Sequence, residues 1–323
     1  MDETKLGAEP AQPPGLTQPL DQSAAIPLPV SVPAQRHPMH DVFIGPHGLR
    51  AGWRLLLYVV LWQVFILLLD RMTPVLMPRG THGIWLDLTV ESKRMIAVLL
   101  PAVVMGLIEK RPFGAYGLPG RQAFGKLFWM GMVWGIAAIS LLVFAIGGVG
   151  DFSLGAVALH GSRILKFAMF WGGFFLIVGF FEEFLLRGYS QFTLTTGMGF
   201  WPAAVLLSLV FAAMHAGNSG ETFIGLAAVA AIGLYFCLTL RRTGSLWFAV
   251  GFHTAFDWGE SYLYSVPDSG GMVTGHLLNS SFHGSRWLTG GSDGPEGSVL
   301  VFVVIALTWV AFSRVYPEVK YKA

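Results

Sequence analysis

Phe167-Ala-Met-Phe-Trp-Gly-Gly-Phe-Phe-Leu-Ile-Val-Gly-Phe-Phe181 runs directly into Glu182-Glu183 and, one turn later, into Arg187. The run is longer than a typical strand and lacks period-2 alternation, so it reads as an apolar helix. An ionisable side chain inside a membrane segment costs roughly 2.5–3.5 kcal/mol, and three within one short stretch call for partners or for a task. Later apolar stretches offer such partners: His215 ends Phe211-Ala-Ala-Met-His215, and His253 opens His253-Thr-Ala-Phe-Asp257.

Working outward, the whole chain has the same character. Of its 323 residues 54% are hydrophobic and 12% charged, with mean hydropathy +0.59. A soluble domain carries about 25% charged residues. Stretches near the ~20 apolar residues of a spanning helix recur, which predicts an all-α polytopic transmembrane bundle and not a barrel. Eight spans are expected, near 51–69, 84–108, 124–147, 163–187, 200–216, 222–240, 244–260 and 298–314. The second is the weakest, because Asp87, Glu91, Lys93 and Arg94 crowd its start and Pro101 is expected to kink it.

Residues 1–48 are proline-rich and poor in aromatics, the composition of a disordered cytoplasmic tail ahead of a helical domain at 49–323. They lack a signal peptide's basic start and short apolar core, so the first span is expected to direct insertion. Arg50 and Arg54, Lys110 to Lys126, Arg241 and Arg242, and Arg314 to Lys322 all fall on one side of eight spans. By the positive-inside rule both termini are then cytoplasmic, with Arg71, Arg79, Lys93 and Arg94 diluting the contrast. The Gly/Ser/Asp-rich connection 261–297 falls on the other side.

Net charge is only +2 and the basic residues flank apolar runs, so no nucleic-acid partner is implied. The single cysteine, Cys237, excludes an internal disulfide and reads as a packing residue. Abundant tryptophan fits interface anchoring, and the glycines of Trp171-Gly-Gly and Ala230-Ala-Ile-Gly233 are expected to allow close helix contacts. Zinc-protease His-Glu-x-x-His and Walker-type phosphate loops do not occur.

Residues four apart share a helical face, so Glu183 can pair with Arg187 while Glu182 stays free. A second carboxylate in low dielectric, relieved of its partner, is how a general base near neutral pH arises. Of nine histidines only His215 and His253 fall inside apolar spans. His215 can help Glu182 polarise a water, while His253 and Asp257 can cradle an oxygen that gains charge. The same four side chains could instead ligate a metal such as zinc, since imidazole and carboxylate suit it.

Glu182-Glu183-x-x-x-Arg187, Phe211-x-x-x-His215 and His253-x-x-x-Asp257, in this order, resemble the three motifs of the CPBP family, the CAAX-protease and bacteriocin-processing (ABI) intramembrane peptidases. The similarity covers about 105–260, and the stretches Glu109–Leu118, Arg242–His253 and Gly290–Ser298 resemble bacterial members. The resemblance implies Glu182 and His215 as the water-activating pair, His253 and Asp257 as oxyanion stabilisers, and Glu183 and Arg187 as support. Asp257 stands where the third motif often has asparagine. Asparagine always donates, whereas aspartate donates only when protonated, so ligating a metal or orienting His253 stand beside the oxyanion role.

The expected activity is an intramembrane endopeptidase acting on a membrane-associated protein or peptide, in a bacterial inner membrane. No organic cofactor is implied. A motif-retaining scaffold or immunity-type protein is the first alternative. A proton-coupled transporter is the second, and the lack of an internal repeat speaks against it.

Overall fold

The computed structural model describes residues 42–45, 48–77, 82–149 and 152–321. Most of the expected tail, residues 1–41 and 46–47, lies outside them. The compact unit that holds the described residues begins at Val42. Ile44–Gly45 pair with Gly48–Leu49, Phe43 packs on Trp53 at 4.7 Å, and Trp53 Nε1 donates to the Val42 carbonyl.

Among the described residues nine helices of eight residues or more carry the structure: α1 Ala51–Leu76, α2 Ile84–Glu109, α3 Lys126–Gly148, α4 Ser162–Leu185, α5 Gln191–Met198, α6 Phe200–His215, α7 Phe223–Thr243, α8 Trp247–Trp258 and α9 Val301–Val315. Each of the eight expected spans has a helix. Among the described residues four segments, however, are both long and apolar enough to cross a membrane: Ala51–Val75, Lys126–Gly148, Ser162–Met198 and Phe223–Thr243. Helices α6 and α9 are apolar but short, and α8 is shorter still at 12 residues, or ~18 Å against a hydrocarbon core of ~30 Å. Helix α2 has the length but carries charges, three of which, Glu91, Lys93 and Arg94, are met by Lys93–Asp70 at 2.7 Å and Arg94–Glu91 at 2.6 Å. It runs on through the buried Pro101 without a break in helix assignment.

Helix ends follow from local chemistry. Thr222 opens α7 by accepting from the Gly225 amide through Oγ1, and Gly244 closes it at φ 70° with its N–H on the Leu240 carbonyl. Between α4 and α5 the chain makes a π-helical turn at Leu186–Ser190, where Gly188 leaves helical geometry at ψ −120°. A second π-helical turn, Gly259–Leu263, extends α8.

Two large apolar cores hold the bundle, beside a smaller one of Leu159, Trp171, Phe175 and Tyr262. One gathers Tyr58, Phe184, Leu207 and Leu240. The other gathers Ile139, Phe248, Phe252 and Phe312. Outward-facing Leu67, Leu107, Val133, Leu165 and Met169 leave the bundle with an apolar exterior, as lipid contact requires and water does not favour.

The closest helix contact is α3 against α8. A Cβ added to Gly131 would stand 2.1 Å from the Phe248 carbonyl oxygen, and one on Gly135 2.2 Å from that of Phe252. Gly251 returns the contact, 2.1 Å from the Phe128 carbonyl. This is small-xxx-small packing. Gly172 and Gly173, where close packing was expected, do not make it: the nearest group to Gly172 is the Trp258 ring at 3.8 Å, and nothing lies within 4 Å of Gly173. Gly233 instead clears space for a side chain, with Arg187 Nη2 only 2.5 Å from where its Cβ would be.

Candidate active site

The C-terminal turn of α4 carries Glu182 and Glu183, the π-helical turn carries Arg187, the last residue of α6 is His215, and α8 carries His253 and Asp257. Arg187 Nη1 donates to Glu183 Oε1 at 3.2 Å, one helical turn away, and both side chains are fully buried. The guanidinium also lies over the Phe211 ring at 4.4 Å and, farther off, the Phe236 ring at 5.7 Å. Its Nε and Nη2 have no hydrogen-bond partner, so the charge rests on one carboxylate and two aromatic faces.

His253 is the hub. Its Nδ1 stands 3.1 Å from Glu183 Oε1, while Nε2 is 3.5 Å from both Glu182 Oε2 and Asp257 Oδ2. The ring stacks on Phe236 at 5.6 Å. With a carboxylate before each nitrogen, two N–H donors suit this ring better than one. The Glu182 side chain makes no hydrogen bond among the described residues. It is the uncommitted acid of the pair, with its side chain 16% exposed.

A cavity of about 450 Å³ opens here, and Glu182, His215, His253 and Asp257 all line it, with Phe175, Val178 and Phe256 among its apolar walls. His215 Nδ1 lies 2.9 Å from the Phe211 carbonyl oxygen. A carbonyl only accepts, so Nδ1 carries the proton and Nε2 keeps its lone pair. The sequence places His215 beside Glu182. In the structure the two share the cavity without a hydrogen bond among the described residues, and His253 is the imidazole nearest Glu182. One cavity nonetheless joins residues from three helices, because α8 is short and enters with the π-helical turn behind it.

The four expected site residues do not form a tight metal-ligand cluster. Among the described residues, the group of three potential ligands within 4.8 Å of one another is Glu260, Asp268 and Glu296. Asp268 and Glu296 also line the cavity, and sequence reasoning passed over them as loop residues. The one available signal was Glu260, an acid three residues after Asp257 at the end of an apolar helix. Gly290-Gly-Ser-Asp-Gly294 has the Gly-x-Ser-x-Gly spacing of a hydrolase nucleophile. Yet it follows a one-turn helix instead of a strand, so it is no nucleophile elbow.

Residues 164–259 match the family model described as type II CAAX prenyl endopeptidase Rce1-like, a narrower stretch than the resemblance over 105–260. No curated protein and no solved structure matches the chain. The matched stretch contains Glu182, Glu183, Arg187, His215, His253 and Asp257 in motif order, and over these residues the chain matches the CPBP, or CAAX-protease, family.

Proposed function

We propose that this chain is an intramembrane endopeptidase of the glutamate type, hydrolysing a peptide bond in a membrane-associated protein or peptide. The observation that carries the proposal is Glu182: a carboxylate without a hydrogen-bond donor, at the wall of an apolar-sided cavity, 3.5 Å from an imidazole. In this reading Glu182 takes a proton from a water held by the His215 Nε2 lone pair. The resulting hydroxide adds to the scissile carbonyl. Its oxygen becomes an oxyanion that the His253 Nε2–H stabilises, and the proton on Glu182 passes to the leaving amine. Asp257 steadies the charge on His253. Glu183 and Arg187 set the ring's other face.

The same reading makes all eight helical segments membrane-embedded, in a bacterial inner membrane with both termini cytoplasmic, which the distribution of basic residues supports. The family match supports a membrane-associated substrate.

The test compares peptide termini in membranes from cells expressing the wild-type chain, Glu182→Ala or His215→Ala. Cleavage products should disappear from both variants, while protein level and detergent-extracted melting temperature stay unchanged. Products persisting at wild-type level in either variant would remove the mechanism.

A further inference from the structure

Three acids meet where three separate segments converge. Glu260 comes from the π-helical turn after α8, Asp268 from the following loop, and Glu296 from the 3-10 turn Pro295–Gly297. One oxygen of each lies within 4.8 Å of the others. Asp268 and Glu296 are held in place from behind: Ser261 Oγ donates to Asp268 Oδ2 at 2.8 Å, and the Ser269 amide and hydroxyl donate to Glu296 Oε1 at 2.6 and 2.7 Å.

Glu260 is different. It is 0% exposed, and neither carboxylate oxygen has a hydrogen-bond partner. Among the described residues no lysine, arginine or histidine forms an ion pair with any of the three acids. A buried carboxylate without donors is costly, and here it is aimed into a cluster of like groups. The backbone also closes in: a Cβ on Gly294, at φ 115°, would lie 2.1 Å from the Pro267 carbonyl oxygen and 3.2 Å from Glu260 Oε1. Another oxygen donor thus stands beside the acids.

We propose that Glu260, Asp268 and Glu296 bind a hard divalent cation of calcium's size, which ties the 264–298 loop to the end of α8 beside the catalytic cavity. All donors are oxygens, the set that suits calcium and magnesium and not zinc or copper. Calcium takes six to eight oxygen ligands in a flexible shell, which suits three carboxylates from separate segments, whereas magnesium keeps several waters and is usually held by only one or two carboxylates. Each ligand comes from a different segment, so the ion would staple loop to helix. Asp268 and Glu296 line the same cavity as Glu182 and His253, but none of the three acids takes part in the proposed peptidase chemistry, on which the site does not depend.

The test uses the purified full chain in detergent, stripped with EGTA and returned to CaCl2, MgCl2 or ZnCl2. Calcium should bind one to one and raise the melting temperature by about 5 °C or more at saturation. Glu260→Gln and Asp268→Asn should lose both effects, and Glu182→Ala should keep both. Should a ligand variant fail to fold, equilibrium binding of radioactive calcium to the wild-type chain alone decides. Absence of binding, a larger response to zinc, or a response that survives Glu260→Gln would each overturn the site.

Discussion

His253 is faced by carboxylates at both ring nitrogens, and that single placement organises the roles of its neighbours. Glu183 is already claimed by Arg187, so its contact with Nδ1 fixes the ring's orientation. Asp257 is the residue where the roles diverge. A protonated Asp257 would donate to the substrate oxygen, and asparagine would do so equally well. An ionised Asp257, 3.5 Å from Nε2, would instead hold a charged imidazole, and asparagine could not. The contact with the ring favours the second role. Asp257→Asn is therefore expected to lower kcat by about 10-fold or more with KM little changed, because charge stabilisation is needed most in the transition state. Steady-state kinetics on a cleaved peptide checks this. A variant as fast as wild type assigns Asp257 the donor role.

At the scale of elements, the Glu183–Arg187 pair locks α4 to its π-helical turn, and α3 locks α8. Arg187→Ala leaves the buried Glu183 with His253 as its remaining charge partner, which should cost up to roughly 3–5 kcal/mol. Thermal unfolding in detergent reads it, and an unchanged midpoint would mean that the pair is hydrated. Gly131→Ala puts a methyl 2.1 Å from the Phe248 carbonyl, so the helices must separate, at about 1–3 kcal/mol. Gly173→Ala, with nothing within 4 Å, is the control and should leave the midpoint in place. The contrast shows what a sequence can disclose. Helix positions, the one-turn pairing of Glu183 with Arg187 and the shared face of His253 and Asp257 all follow from spacing along one helix. Which glycines meet a backbone, and that His253 sits nearer than His215 to Glu182, depend on the depth at which separate helices cross. Hydrophobic pattern does not encode that depth. The π-helical turn at Leu186–Ser190 and the short α8 set it, and neither has a strong sequence signature.

For the molecule as a whole, the open quantity is how many helices cross the membrane, because four segments meet the length and hydropathy of a span while eight were expected. Parity decides between the two. With eight crossings and a cytoplasmic amino terminus, Gln122 lies in the cytoplasm and both Asn218 and His283 lie outside. With only the four long segments crossing, Asn218 remains outside, but Gln122 moves outside and His283 inside. An inverted eight-span chain puts Gln122 outside and the other two inside. All three side chains are exposed, and the sole native cysteine, Cys237, is fully buried and should give no background label. Gln122→Cys, Asn218→Cys and His283→Cys can thus be probed singly in intact spheroplasts with a membrane-impermeant maleimide. The basic residues at Lys110, Arg111, Arg121 and Lys126 favour the first pattern. Cysteines at 218 and 283 should therefore label directly, and the one at 122 only after permeabilisation. Labelling at 122 and 218 but not 283 would reduce the bundle to four spans and move the short helices α6, α8 and α9 to re-entrant or interfacial positions.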